Sequence, residues 1–367
     1  MHSRIASVAT AFPPHRYAQR ELTDMFASVV GLAETGQVAL LRRLHDNAGV
    51  AYRHLALPLH RYAALAGFTE ANDEYARVAV DLSAHALEAA LTGAGLDPGS
   101  VDLIITATVT GLTVPSLDAR LVTRAGLRPD VKRMPLIGLG CVAGAAGLAR
   151  AHDYLAGHPH AVVALVCVEL CSLTVQCDDT STANLVASGL FGDGAACVIL
   201  TGEAHPLAAS ADDGPRASHA GRGGPTVLAT CSRFYPETER VMGFDVGTHG
   251  MRIVLDAVVP ELVRTHLRSD VDAFLAGHGL SREDLDFFVA HPGGPKVLDA
   301  LAEALEVPPE ALGVTWRSLR EVGNMSSVSV LHVLEETLRE RPPEPGSLGL
   351  LLAMGPGFCS ELVLVEG

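Results

Sequence analysis

Lysine is nearly missing from this chain. Only two of its 27 basic residues are lysines, Lys132 and Lys296, against 42 acidic residues, and the formal net charge is −15. That balance excludes nonspecific nucleic-acid binding and attraction to an anionic membrane surface as general modes of action. It leaves room for an anionic small substrate at a local basic cluster, either Arg42, Arg43 and Arg53 or Arg120, Arg124, Arg128, Lys132 and Arg133. Long apolar runs are lacking too: the longest nearly uncharged stretch, 134–149, is glycine-rich and shorter than a bilayer crossing requires, and residues 1–17 lack a basic start followed by an apolar segment. Seven cysteines, an odd number without regular spacing, argue against a disulfide framework and against a zinc site. The expectation is a cytoplasmic protein with no membrane insertion, no nucleic-acid partner and no metal.

What the chain does have is apolar surface to bury. Hydrophobic residues make up 48% of 367 residues and charged ones 19%, enough for a large core and two or three compact units. Residues 5–11 read as a short strand, 19–47 as helical segments, 70–92 as an amphipathic helix, 101–108 as a buried strand and 118–125 as the start of another helix. Residues 161–170 read as a strand buried on both faces, and 195–200 as its neighbour. Between 206 and 225 the composition shifts to Ala, Ser, Gly, Asp and Pro, the mark of an exposed connection. Beyond it the outline repeats: 251–279 is helical in pattern like 70–92, 285–292 matches 101–108, and 348–354, the Gly355-Pro356-Gly357 turn and 362–365 echo 162–200. The division predicted is an N-terminal half, 1–205, a connection, 206–225, and a C-terminal half, 226–367, with a cleft between similar halves as the place for a site.

The first half holds a cysteine among residues too small to cover it, Gly138-Leu139-Gly140-Cys141-Val142-Ala143-Gly144. An apolar segment precedes it and a helical pattern follows, so Cys141 belongs at a strand-to-helix turn, where free N–H groups and the helix dipole favour a thiolate. A small-residue elbow is poor core filling and good nucleophile geometry. The second half has His291 at the end of an apolar strand, before Pro292-Gly293-Gly294-Pro295, and Asn324 in Gly323-Asn324-Met325-Ser326-Ser327. Taken singly, His291 is an exposed strand end and Asn324 a helix cap. Taken together with Cys141, a histidine pairs with the thiolate, and histidine and asparagine N–H groups form an oxyanion hole. Hydrolysis through an acyl-enzyme and carbon–carbon bond formation through a malonyl-derived enolate both use this set.

The flanking motifs favour the second chemistry. Gly140-Cys141-Val142-Ala143-Gly144, Leu190-Phe191-Gly192-Asp193-Gly194, His291-Pro292-Gly293-Gly294-Pro295, Gly323-Asn324-Met325-Ser326-Ser327 and Gly355-Pro356-Gly357 run in order over most of the chain. Together they resemble a type III polyketide synthase, the family of chalcone synthase. The resemblance implies an α/β thiolase-type fold, with two similar αβαβα halves and mixed five-stranded sheets in a layered arrangement. It implies an acyltransferase without a cofactor, its substrates being coenzyme A thioesters: an acyl-CoA starter and malonyl-CoA, with methylmalonyl-CoA as a further candidate extender. Cys141 would carry the starter, His291 and Asn324 would stabilise the enolate, and Phe191 would be the gate between the pantetheine tunnel and the cavity. Arg43, Gly293, Gly294 and Lys296 match coenzyme A-binding positions, with Asn47 where plant members have lysine.

Val109, Thr110, Thr174, Phe244, Ile253 and Ser326 match cavity-lining positions, and Gly355 and Gly357 are counted with them. Ile253 stands in place of a phenylalanine, Phe244 of a glycine and Val109 of a threonine. With the segments 108–119 and 243–247, these changes resemble bacterial members that make alkylpyrones or alkylresorcinols, so the expected starter is fatty acyl and the product a pyrone or resorcinol. Val114-Pro115 matches a cis peptide at the family's dimer interface, which implies a homodimer with Val114 reaching the partner's cavity. Two alternatives stay open: a β-ketoacyl synthase III-like enzyme making one condensation, and an inactive binding protein of the same fold.

Overall fold

Alternation along one strand organises the molecule. In Val162–Leu170 every residue is buried; Val163, Leu165 and Cys167 enter one apolar cluster, while Val162, Ala164, Val166, Val168 and Leu170 enter another on the opposite face. A strand with two apolar faces needs cover on both sides, and this chain supplies it with helices. The computed structural model describes residues 2–32, 36–65, 67–209, 224–248 and 250–367. Its strands are β1 (Ser3–Ala11), β2 (His15–Ala18), β3 (Tyr52–Leu55), β4 (Leu103–Thr108), β5 (Lys132–Ile137), β6 (Val162–Leu170), β7 (Asp193–Gly202), β8 (Thr226–Phe234), β9 (Met242–Gly247), β10 (Gly250–Leu255), β11 (Phe287–Ala290), β12 (Leu348–Gly355) and β13 (Cys359–Glu366).

Nine of them form one sheet in the order β11-β12-β13-β8-β1-β7-β6-β4-β5. Going outward from β1, the pairings are β1–β7 antiparallel, β7–β6 antiparallel and β6–β4 parallel. From β8 they repeat: β8–β13 antiparallel, β13–β12 antiparallel and β12–β11 parallel. The first half adds β5, parallel to β4, so five strands come from it and four from the second half. The two sets meet edge to edge through only Ser3↔Val227 and Arg4↔Thr226.

The αβαβα stack is formed once, by both halves together. Helices Ala143–Gly157 and Ser327–Glu340 lie between the two sets of strands, and their Ala143, Ala145, Leu148, Val328, Leu331 and Leu334 share a core with inward residues of β6, β7, β12 and β13. Helix Phe68–Ala94 covers the outer face of the first set, and helices Val259–Ala276 and Pro295–Leu305 cover that of the second. No helix among the described residues is long and apolar enough to cross a membrane.

The helix expected over 251–279 begins later, at Val259; residues 250–255 are instead β10, paired with β9 as a separate ribbon. Met251, Ile253, Val254 and Leu255 are apolar in both patterns, and a short apolar run beside a true helix does not reveal its own period. Residues 210–223 of the expected connection lie outside the described residues, and Pro206–Ala209 is a helical turn.

The central helices approach closely because glycine allows it. A methyl group on Gly144 would collide with the backbone carbonyl of Ser327 and with Val330; one on Gly147 would meet only the tip of Leu165. A carbonyl in a helix cannot step aside, whereas a leucine rotamer can. Gly144→Ala is expected to cost about 2 kcal/mol of stability and Gly147→Ala about half of that, read as midpoint shifts in urea denaturation.

Candidate active site

Cys141 sits where β5 gives way to the central helix. Gly138 and Gly140 take φ of +87° and +55°, a left-handed bend that glycine permits, and Cys141 lies in the short 3-10 turn Gly140–Val142 immediately before helix Ala143–Gly157. The Gly355-Pro356-Gly357 turn closes over this elbow. A methyl on Gly140 would be 2.7 Å from Pro356, and one on Gly355 would be 2.6 Å from the Leu139 carbonyl.

From the second half, His291 directly follows β11, and its N–H donates to the Leu352 carbonyl at 2.9 Å. Asn324 precedes helix Ser327–Glu340. Its Oδ1 accepts the backbone N–H of Ser326 at 2.8 Å, so the amide is oriented by a donor that cannot flip and Nδ2 is left to donate elsewhere. The helix-cap reading of Asn324 does not hold: the N-cap is Ser326, and the helix has no side-chain cap bond. Ser326 holds φ +50°, sparsely populated for a residue with a side chain, and its Oγ accepts from the Cys141 thiol at 3.6 Å.

These groups open on one cavity of about 1030 Å³, which Cys141, Phe191, His291, Asn324 and Ser326 all line. Val109, Thr110, Thr174, Phe244 and Ile253 form further wall, and Gly293, Gly294, Lys296 and Asn47 are also on it. Four expected positions are not. Arg43 is exposed on the last turn of helix Val38–Asp46, with no acidic partner among the described residues. Gly355 and Gly357 face the elbow and Phe234, leaving Pro356 as the wall residue of that turn. Val114 is 90% exposed and lines nothing in its own chain; its bond to Pro115 is cis.

The electrostatics differ from the ion pair expected. Burial pushes the Cys141 thiol up to about 12, against the lowering effect of the Ser326 hydrogen bond. Burial also pulls the His291 imidazole down to about 3, and its buried Nδ1 has no hydrogen-bond partner. Each group is therefore neutral, because charging either alone means desolvating a lone charge. Passing the thiol proton to the imidazole avoids a net charge, so the pair can form as substrate engages the thiol.

Glu169 escaped the sequence reading. It is fully buried on the otherwise apolar β6 and accepts from the Val109 N–H, the hydroxyls of Thr108 and Thr110, and Ser327 of the second half at 2.7 Å. Burial raises its pKa despite these donors. The signal was available: a carboxylate in a strand buried on both faces has to be held by something. Cys171 also lines the cavity, its thiol raised well above the usual range by burial.

Removing the proton acceptor has a measurable consequence. In His291→Ala the thiol has no imidazole to take its proton. Iodoacetamide labelling of Cys141, followed by peptide mass mapping, is then expected to rise about tenfold per pH unit from pH 7 to 9 without a plateau. Labelling at pH 7 is expected to be slower than in the unmodified protein.

Comparison with known proteins places this geometry. Residues 2–204 match the N-terminal domain of chalcone and stilbene synthases and residues 226–367 the C-terminal domain. A 1,3,6,8-tetrahydroxynaphthalene synthase of Streptomyces peucetius subsp. caesius is 52% identical over 99% of this chain and 92% of its own length. A putative chalcone synthase of Bacillus subtilis is 33% identical over 98% and 97%. The crystal structure of a 1,3,6,8-tetrahydroxynaphthalene synthase from Streptomyces coelicolor, a bacterial type III polyketide synthase, superposes with a TM-score of 0.88 at 32% identity, covering 99% of both chains. The expected likeness to alkylpyrone-making members is not what these relatives show; the 52% identity is to a tetrahydroxynaphthalene synthase. The chain belongs to the chalcone and stilbene synthase family: it is a type III polyketide synthase, an acyltransferase that condenses malonyl-CoA iteratively with loss of carbon dioxide.

Proposed function

We propose that this enzyme assembles a hydroxylated aromatic, of the tetrahydroxynaphthalene kind, from malonyl-CoA on Cys141. The observation that carries the reading is the Asn324 amide, locked through Oδ1 with Nδ2 free on the cavity that also holds the buried thiol and a neutral imidazole. The likeness at 52% to a tetrahydroxynaphthalene synthase supports the product class. A ten-carbon naphthalene skeleton oxygenated at alternating positions is what five two-carbon units supply.

In the first step the Cys141 thiol attacks the thioester carbonyl of an acyl-CoA, His291 takes the proton, and coenzyme A leaves with that proton. A malonyl thioester then breaks its carboxyl C–C bond, releasing carbon dioxide and leaving the electron pair as an enolate. Asn324 Nδ2–H and the His291 N–H donate to that oxyanion. The enolate carbon attacks the acyl group on Cys141 and expels the thiolate, lengthening the chain by two carbons. Phe191 presents an apolar ring at the entrance, where desolvation disfavours the carboxylate and favours its decarboxylated product. Gly293, Gly294 and Lys296 lie along the pantetheine approach, and Arg43 at the outer edge meets the coenzyme A phosphates. Val114 enters the cavity of a second copy in a homodimer, and the seven unpaired cysteines suit a cytoplasmic setting.

A second reading, a fatty acyl starter closed to a pyrone or resorcinol, is favoured by the aliphatic wall that Ile253, Val254 and Leu255 give the cavity. Mass analysis of products separates the two. Malonyl-CoA alone is expected to yield an aromatic polyketide, and Cys141→Ala to yield none. Turnover only with fatty acyl-CoA added would replace the first reading with the second, products with a single added unit would indicate a one-step condensing enzyme, and no turnover would indicate a binding protein. Replacing malonyl-CoA by methylmalonyl-CoA in the same assay tests the extender. Asn324→Ala is expected to lower kcat by about 10²- to 10³-fold, the usual loss for one oxyanion donor. Light scattering is expected to give a dimer.

A further inference from the structure

Phe191 of one half and Asn324 of the other are joined through backbone. Phe191 and Asn324 form an isolated parallel bridge, in which the Asn324 N–H donates to the Leu190 carbonyl and the Gly192 N–H to the Asn324 carbonyl, both at 2.9 Å. Two hydrogen bonds are a slender tie for residues that must face one substrate. Behind the bridge lies Arg53, only 4% exposed. Its Nη1 donates to the Phe191 carbonyl at 2.8 Å and its Nε to Gln19 Oε1 at 3.1 Å. Gln19, also buried, donates through Nε2 to the Gly189 carbonyl at 2.6 Å. The arginine stem rests on the second half of the bridge as well. A methyl on Gly323 would lie 3.1 Å from Arg53 Cγ and Cδ, and Gly323 holds φ +73°.

A guanidinium is costly to bury and is retained where its donors are used. Here the donors go to the segment carrying Phe191 and to its brace, not to a carboxylate. Asp193 faces the charge, while its own oxygens accept the Ala56 N–H and the Ser172 N–H and hydroxyl.

We propose that Arg53, braced by Gln19, is a positioning residue that sets the register in which one half presents Phe191 and the other presents Asn324 to the malonyl thioester. The inference rests on the roles given to Phe191 and Asn324 above. Decarboxylation needs the Asn324 donor at the oxyanion; loading of an acyl group needs only Cys141 and its proton acceptor. Loss of register therefore harms the first and spares the second, whereas general loss of folded enzyme lowers both alike.

The test compares malonyl-CoA decarboxylation with single-turnover transfer of a labelled acyl group to Cys141, on the full chain. In Arg53→Met, decarboxylation is expected to fall about 10²-fold in kcat with little change in KM, while loading stays within about twofold. Arg53→Lys, which keeps a donor near the Phe191 carbonyl, is expected to recover part of the loss. Gln19→Leu is expected to show a smaller loss of the same selective kind, and it decides the matter if Arg53→Met does not fold. Equal losses of decarboxylation and loading, or an unchanged ratio in Gln19→Leu, overturn the proposal. Unmodified enzyme without decarboxylation, or Asn324→Ala without effect on it, would instead overturn the functional reading beneath.

Discussion

His291 and Asn324 from one half line the same cavity as Cys141 from the other, and the halves join there by a backbone bridge between Phe191 and Asn324. Everything nearby serves that constraint. Gly192 and Gly323 let the strands approach: a methyl on Gly192 would strike the Val322 carbonyl, and one on Gly323 would lie 2.9 Å from the Leu190 carbonyl. Gly144 lets the helix behind Cys141 press on the one that follows Asn324. Glu169 adds a polar tie, since its carboxylate accepts from Val109 of the first half and Ser327 of the second. Packing alone would allow the two helices to slide; hydrogen bonds with fixed partners do not.

The buried chemistry follows from the same closeness. Both Cys141 and His291 are buried at this junction, and desolvation keeps both neutral. The resting site is poised rather than charged.

Much of this was legible in the sequence because it rests on local rules. A cysteine among glycines after an apolar segment is a turn before a helix, and Cys141 is there. A wholly apolar run such as 162–168 reads as a strand with two dry faces, and β6 is one. The repeat of strand and helix patterns also appears, as the same pairing order on both sides of the β1–β8 junction. What was not legible depends on partners far away in the chain. Nothing local to Arg53 indicates that it reaches Phe191, 138 positions on, and Glu169 draws its four donors from two segments, 108–110 and Ser327, that are far from it in the chain. Met251 to Leu255 became a strand because a neighbouring ribbon strand was there to pair with it, not because of its own pattern.

The β9–β10 ribbon stands apart from the nine-stranded sheet, and its strands pair only with each other. Phe244 and Ile253 face each other across it and both line the cavity. Cys141 is thus set in a framework where one added methyl group meets a backbone carbonyl, while part of the cavity wall is carried by a ribbon outside the main sheet, tied to the first half by the Gln176 amide and the Arg252–Asp178 ion pair. A change of side chain on that ribbon alters the cavity without touching the close contacts around the cysteine.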